Sequence, residues 1–488
     1  MGCREHDDVM ENRLTRAIYD HSPVALQHLY TTAFGYLKRW RRYGATYRRY
    51  REFFERSFSW SRAEIEAYRD QKVAEVVRCA YEQVPFYRRR METAGLVPDD
   101  VRSVADLPKL ALLEKEDLRR VGRDILAADF PPSRIRAAAT SGATGFPVVN
   151  YWSVEAEQRE YGFHWARRRP GVERADSYGS FTGLQLMRPD DMTPPFWRHN
   201  RAANQTCYSI FHMTRETMPL YAEEIRRRGH VYLEGYPSPI AILAKVMLDR
   251  GIEPPASVRH VFATSEQLQD EHRTWIEEGF GARVWDQYGQ NEKAGSITEY
   301  DCGHLHDDMD YSVIEYLPAG RTETGEPLYE MVCTGFDNLA APLIRYRIGD
   351  MAVLDESDAP CDAYAGRIVK CIYGRTAHAL VGRDGRRITN ISVIAKRCRH
   401  VDAMQCVQEE VGQVQIRVVR AKGFTQDDER EILDQFRHKM GEMDFAIRYV
   451  DGIERTASGK FLSILSKVRP DEAGTGGPCD AASTGAPK

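Results

Sequence analysis

The sequence predicts an α/β protein, with a large N-terminal domain of mixed or parallel sheet and helices and a small α+β domain after it. Two observations carry this. Between His230 and Gln287, strand-like and helix-like segments alternate at the spacing of βαβαβ units. From about Gly374 the alternation gives way to short strands mixed with one clear helix, over roughly a hundred residues, an ordinary domain size. At 488 residues the chain also exceeds what one core usually organises. The expected divisions are 1–130, a helical part of the large domain; 131–373, its main body; 374–470, the small domain; and 471–488, a disordered tail of Gly, Ala, Pro and Ser.

Taken in order, the first hundred-odd residues read as helical. Ser61 and Glu64 make a capping box ahead of the pattern Ala63 to Tyr81. Lys38 to Arg56 is rich in Arg and Tyr. An anionic membrane or partner would suit it, but a solvated helix face is the simpler reading and the one adopted. His230–Glu234 reads as a strand. Ser238 then serves as N-cap, with Pro239 at the first helical position, and that helix runs to Arg250 and stops at Gly251. A strand at Val258–Ala263, a helix from about Gln269 to Glu278 and a strand at Arg283–Gln287 follow. Strands so connected run parallel, and ligands bind beyond their carboxyl ends. Those ends are Gly235-Tyr236-Pro237, Thr264-Ser265-Glu266 and Tyr288-Gly289, so a site is predicted on that edge. In the small domain, Thr425 caps the helix with Asp428 in its first turn.

Composition excludes several classes of function. A net charge of -4 gives no global attraction to nucleic acid. No apolar run reaches the roughly 18 residues of a membrane span. The start lacks the apolar core of a secretory signal. Gly2 and Cys3 invite a lipid anchor, but His6 stands where a myristoylation motif needs Ser or Thr. Ten scattered cysteines fit a reducing cytoplasm, where a cysteine cluster signals a metal before a disulfide.

Four motifs carry chemistry. Thr140-Ser141-Gly142-Ala143-Thr144-Gly145-Phe146-Pro147 has the small, hydroxylated residues that let backbone N–H groups approach a polyphosphate, though it lacks the Gly-Lys-Ser/Thr ending of a Walker loop. In Asp286 to Glu292, a Tyr-Gly turn leaves a strand and Glu292 can hold magnesium on phosphate oxygens. In Leu343 to Asp350, an Asp just past a strand-like segment can accept both ribose hydroxyls. Arg455 to Lys460 places a lysine on a Ser-Gly turn. Each alone is an ordinary turn or surface group.

Together and in this order, they resemble the adenylate-forming superfamily. The chain looks most like the phenylacetate–CoA ligase family, in its CapK-like branch. Cys79 to Arg88 resembles that family's N-terminal signature, Ala341 to Asp350 matches it closely, and Gly374-Arg375 followed by Asp384-Gly385-Arg386 fits its domain junction. The resemblance spans nearly the whole chain. It implies an ATP-dependent, AMP-forming ligase whose mobile C-terminal lid domain closes on the large one. The substrate is a small-molecule carboxylic acid, Mg²⁺ is the cofactor, and coenzyme A is the acceptor. Thr140 to Gly145 would wrap the phosphates. Ser265, Glu266, Gln287, Tyr288 and Gly289 would line the nucleotide and acyl sites. Glu292 would bind Mg²⁺, Asp350 the ribose with Arg375, and Lys460 would bridge the carboxylate and the α-phosphate.

The acid pocket is placed at Tyr236, Pro237, Phe262 and Gly295, with sheet core as the preferred alternative for Phe262 and for Trp285. Cys302, His304 and His306 crowd together in sequence, and Cys302, His306, Cys333 and Cys361 form the candidate set for a structural zinc. Ala143, Phe146 and Asn291 depart from the residues common in relatives, as does Ala377-His378 after Gly374-Arg375. Two other readings stay open: transfer to an amine or other non-CoA acceptor, and a catalytically weakened binding or assembly subunit. A homodimer is compatible with the sequence.

Overall fold

The computed structural model describes residues 13–139, 148–188, 190–322, 325–358, 361–375, 380–383, 387–388, 400–440, 443–454 and 461–468. The chain divides into two compact units. The first takes Met1–Pro318, Tyr329–Ile372 and Arg455–Phe461; the second takes Ala319–Leu328, Tyr373–Glu454 and Leu462–Lys488.

The first unit opens with five helices: α1 (Arg13–Asp20), α2 (Val24–Arg42), α3 (Ala45–Ser57), α4 (Arg62–Gln83) and α5 (Pro85–Thr93). Ser61 and Glu64 form the reciprocal capping box at the start of α4, each answering an N–H the helix leaves unpaired. After α6 (Lys115–Val121), the strands β1 (Ile135–Ala139) and β2 (Val149–Ser153) pair antiparallel. Helix α7 (Val154–Arg167) follows, capped by the Ser153 hydroxyl, which accepts from the Ala156 N–H at 3.0 Å.

A twelve-stranded sheet organises what comes next. Its central part is β3 (Tyr178–Thr182), β4 (Trp197–Asn200), β5 (Gln205–Ser209), β6 (Tyr232–Gly235), β7 (His260–Thr264) and β8 (Arg283–Gly289). Helices α8 (Met218–Arg228), α9 (Pro237–Asp249) and α10 (Asp270–Phe280) connect and cover these strands. The remaining strands are β9 (Ser296–Glu299), β10 (Leu305–Asp307), β11 (Ser312–Arg321), β12 (Pro327–Gly335), β13 (Tyr346–Leu354) and β14 (Ile368–Arg375). The spatial order is β11-β12-β13-β14-β10-β9-β8-β7-β6-β3-β5-β4. Strands β5, β3, β6, β7 and β8 pair parallel, which for β6, β7 and β8 is what the alternating pattern predicts. Because side chains alternate along a strand, Val261 and Ala263 face the core under α9 and α10, while Phe262 points to the opposite side with Tyr232 and Trp285.

The start of α9 corrects one expectation. Pro237, not Pro239, takes the first helical position, and Tyr236 stands at the N-cap without a side-chain capping bond. Ser238 therefore lies inside the helix, and its N–H, an orphan of the first turn, donates to the Glu266 carboxylate at 3.3 Å. The end of α9 at Asp249, with Gly251 left-handed just beyond, matches the predicted stop to a residue.

The second unit holds the short hairpin β15 (Leu380–Val381) and β16 (Arg387–Ile388), then β17 (Val401–Gln408), β18 (Gln413–Arg420), α11 (Gln426–Met440), β19 (Asp444–Tyr449) and β20 (Ile464–Ser466). Its four-stranded sheet runs β19-β18-β17-β20. Ile416, Val418, Ile432 and Phe436 form its core with Cys406 and Ile464. Thr425 and Asp428 cap α11 reciprocally. The tail 471–488 lies outside the described residues.

Candidate active site

Three strand ends meet on one edge. Gly235 aligns with Ala263, and Ala263 with Asp286, so the ends of β6, β7 and β8 lie within two strand spacings, roughly 10 Å. Gly235 has φ +136°, and a Cβ there would come within 2.1 Å of the Phe181 carbonyl oxygen, so no other residue fits the bend into α9. Tyr236 is buried and its N–H donates to that same carbonyl at 2.9 Å. Glu266 faces the N-terminus of α9, where the helix dipole favours a negative charge. It also accepts the backbone N–H of Phe461 at 2.9 Å; both residues belong to the first unit.

Beyond β8, motifs distant in sequence become neighbours. The Tyr288 hydroxyl donates to Asp350 Oδ2 at 2.7 Å. Asp350 lies inside β13 rather than past a strand, and it is buried. Burial, aided by the Asp350 carboxylate, holds the Tyr288 hydroxyl well above its ordinary pKa, so it remains a donor. Glu292 is buried as well, and the Tyr346 hydroxyl donates to its Oε1 at 3.3 Å. The intervening loop is held by Gln290, whose Oε1 accepts from the N–H groups of Ala294 (3.2 Å) and Gly295 (3.1 Å). A Cβ on Gly295 would meet Cys333 Sγ and Gln290 Nε2, both at 2.9 Å, so Gly295 serves the close packing of this loop.

Backbone strain marks the same places. Five described non-glycine residues have left-handed φ; Ser265 (70°) and Arg345 (50°) sit on these motifs, and Lys293 (55°) directly follows one. Such conformations persist where surroundings over-determine them, and they concentrate at functional sites. Arg345 shows how. Its guanidinium reaches Glu315 (2.9 Å) and the Leu110 carbonyl (2.5 Å), and its N–H reaches the Thr334 hydroxyl (3.0 Å).

Sequence reasoning missed the residues that position this edge. Arg167-Arg168-Arg169, at and just past the end of α7, are all buried. Arg168 donates to the Tyr288 carbonyl and to the Ser296 hydroxyl, each at 2.6 Å. Arg169 pairs with Glu234 on β6 (2.6 Å) and donates to Gln287 on β8 (2.9 Å). Together they tie the ends of two strands to one helix end. The signal in the sequence was the run of three arginines before Pro170 at the end of a helical pattern. Lys293 was also overlooked; its ammonium lies 3.9 Å from the centre of the Trp152 ring, and burial lowers its pKa.

Other expectations change. Phe262 is completely buried among Val172, Tyr232 and Trp285, with the Arg169 guanidinium over its ring, so it is sheet core and not pocket wall. Cys333 leaves the metal set: it is buried beside Gln290 and Gly295, and His304 takes its place. The ligand atoms of Cys302, His304, His306 and Cys361 lie within 4.8 Å of one another. His306 Nδ1 is bonded to the Gly366 carbonyl at 3.0 Å, which turns Nε2 toward Cys302 Sγ, 3.3 Å away. Thr140 to Gly145 and Lys460 lie outside the described residues, and of Arg375 only the backbone, at the end of β14, is described.

The fold is the one seen in solved adenylate-forming CoA ligases. The chain aligns with a crystal structure of 2-hydroxyisobutyryl-CoA ligase in the postadenylation state, in complex with R3-HIB-AMP, at a TM-score of 0.65 and 17% identity, covering 84% of this chain and 92% of that one. Sequence relatives narrow the placement. Protein CapK of Staphylococcus aureus is 25% identical over 93% of this chain and 99% of its own length. The phenylacetate-coenzyme A ligase of Thermus thermophilus is 28% identical over 78% and 84%. Residues 380–467 match the CapK C-terminal domain. The chain is a homologue of CapK and of the phenylacetate–CoA ligases. No helix among its described residues is long and apolar enough to cross a membrane.

Proposed function

We propose that this chain activates a small carboxylic acid with ATP, forming an acyl-adenylate and pyrophosphate, and passes the acyl group to coenzyme A. The observation that carries the reading is the junction of Tyr288, Asp350 and Glu292, which brings two of the sequence motifs to one sheet edge. Asp350 would hold the ribose and Glu292 would hold Mg²⁺, which when bound draws negative charge from the phosphate oxygens. The loop Ser141 to Gly145 would wrap the phosphates.

A carboxylate attacking a phosphate brings two negative charges to bonding distance, which a fixed cation must offset. Lys460 has that role here. It directly precedes Phe461, whose N–H is held by Glu266 at the strand ends. Release of pyrophosphate across a panel of acids tests the reading. Lys460→Ala should lose acid-dependent pyrophosphate release by about 10²–10³-fold, yet still pass an acyl group from supplied acyl-adenylate to coenzyme A. Equal loss of both half-reactions would assign Lys460 to folding or closure instead. If no acid drives release in the unaltered protein, the ligase reading fails.

The Cys302, His304, His306 and Cys361 cluster is proposed to hold a structural zinc. Two thiolates and two imidazoles are a closed donor set, and the Gly366 carbonyl fixes the His306 tautomer as second contacts of zinc ligands do. One zinc per chain by elemental analysis, lost in Cys302→Ser/Cys361→Ser, is the expected result; a metal-free purified protein that reloads no zinc would refute it.

A further inference from the structure

Helix α2 is built inside out. Its inward side is polar: Gln27 is buried, donates to the Tyr19 carbonyl (2.9 Å) and accepts from Arg198 (2.6 Å). His28 Nδ1 accepts from the His199 N–H at 2.9 Å, and the Thr32 hydroxyl donates to the His199 carbonyl at 3.2 Å. Gly35 meets Asn200 so closely that a Cβ would lie 2.0 Å from Oδ1. The outward side carries Leu26, Leu29, Tyr30, Tyr36, Leu37 and Trp40, all exposed, with Trp40 at 82%. At 100° per residue these six fall within about a third of the helix circumference. Scattered exposed apolar residues need no explanation, but a continuous stripe over four turns marks an interaction surface.

Charge identifies what covers it. Val24 to Ser57, which spans α2 and α3, holds eight Lys or Arg against two Glu, in a chain whose net charge is -4. Helix α2 itself has Lys38, Arg39, Arg41 and Arg42 and no acidic residue. Arg41 and Arg42 share the single carboxylate of Glu157. Where the stripe ends at Trp40, a cleft of about 720 Å³ opens, lined by Arg39, Arg48, Arg51 and Arg174 with Tyr43 and Tyr47. Glu52 and Glu55 also line it, and Arg51 bonds Glu55 at 2.7 Å. An apolar stripe ending in an aromatic residue and flanked by cations fits the interface of an anionic bilayer, with acyl chains under the stripe and headgroups at the arginines. A second copy fits less well, because α2 offers no carboxylate to an opposing α2.

We infer that the α2 face docks this protein on an anionic lipid surface, with the arginine-lined cleft receiving a lipid phosphate. This is independent of the acid it activates. The test is flotation of the full chain with phosphatidylglycerol-containing vesicles and with pure phosphatidylcholine vesicles. Binding should appear on the anionic vesicles and weaken with salt. Leu29→Glu/Leu37→Glu should lower it about tenfold or more with an unchanged circular dichroism spectrum. The milder Trp40→Ala should lower it several-fold and covers the case in which the double variant fails to fold. Arg48→Gln/Arg51→Gln, in the lining of the cleft, should lower it by about fivefold per charge. Absent binding, equal binding to neutral vesicles, or binding unmoved in the folded variants would overturn the inference. So would a dimer in sedimentation that the Leu29→Glu/Leu37→Glu change dissociates while vesicle binding persists.

Discussion

Two regions of the first unit bury carboxylates and answer them differently. In the ionic centre, Asp310 receives Arg167 at 2.5 Å, the Tyr364 hydroxyl at 2.8 Å and the Ser57 hydroxyl, while the Arg167 guanidinium is stacked against Phe58 and Tyr364. At the sheet edge, Glu292 is buried too, but it meets the Tyr346 hydroxyl at 3.3 Å, and among the described residues no ion pair reaches it. A carboxylate already closed on a guanidinium has its acceptor sites filled and serves the fold. One approached by a single hydroxyl keeps acceptor capacity for an incoming cation. Under the proposed function, the contrast separates a buried charge that holds structure from one set aside for a ligand.

The largest effect should come from the ionic centre. Asp310→Ala leaves Arg167 buried without its counter-charge and should destabilise the protein by about 3–5 kcal/mol in chemical denaturation; a cost below about 1 kcal/mol would erase the contrast. Glu292→Gln should leave stability within about 1 kcal/mol but lower acid-dependent pyrophosphate release by roughly 10²–10³-fold. A stability loss that matches the activity loss would move Glu292 into the structural group. Asp350→Ala should weaken nucleotide binding by about tenfold to a hundredfold, the contribution of charge-assisted hydrogen bonds to a ribose; calorimetry showing unchanged affinity would remove the ribose role.

The smallest effect concerns pH. Burial and the neighbouring Glu299 push Asp286 up to about 7, although Arg273 opposes them. The folded state therefore keeps a proton that the unfolded chain releases near the ordinary Asp value. That contribution to stability is complete below the unfolded pKa and disappears as pH rises through the folded one. Between pH 5 and 7 the unaltered protein should lose at most about 1.4 kcal/mol per pH unit relative to Asp286→Asn, and the two should run parallel above pH 8. Parallel curves from pH 5 to 9 would mean that Asp286 is ionised throughout.

Short-range patterns determined much of this molecule from the sequence alone. The strand-helix alternation from His230 to Gln287 became parallel β6, β7 and β8, because the period of apolar residues and the position of glycines act within a few residues. The capping box at Ser61 and the Thr425 cap formed as read, since every partner lies within four positions. The convergence of three strand ends followed from topology.

Only the tertiary structure decided which distant groups meet. Tyr288 and Asp350 are 62 positions apart, and Arg168 reaches Ser296 across 128. His304 replaced Cys333 in the cysteine–histidine cluster because strand register, not proximity in sequence, sets where Cys333 points. Ser238 lost its predicted cap because Pro237 took the first turn and Glu266, from another strand end, answered the N–H. In α2 the period announces two faces, but a helix turned inside out has the same period as an ordinary one. Which face meets the protein depends on the polar partners across the packing surface, here Arg198, His199 and Asn200, and no local pattern contains them.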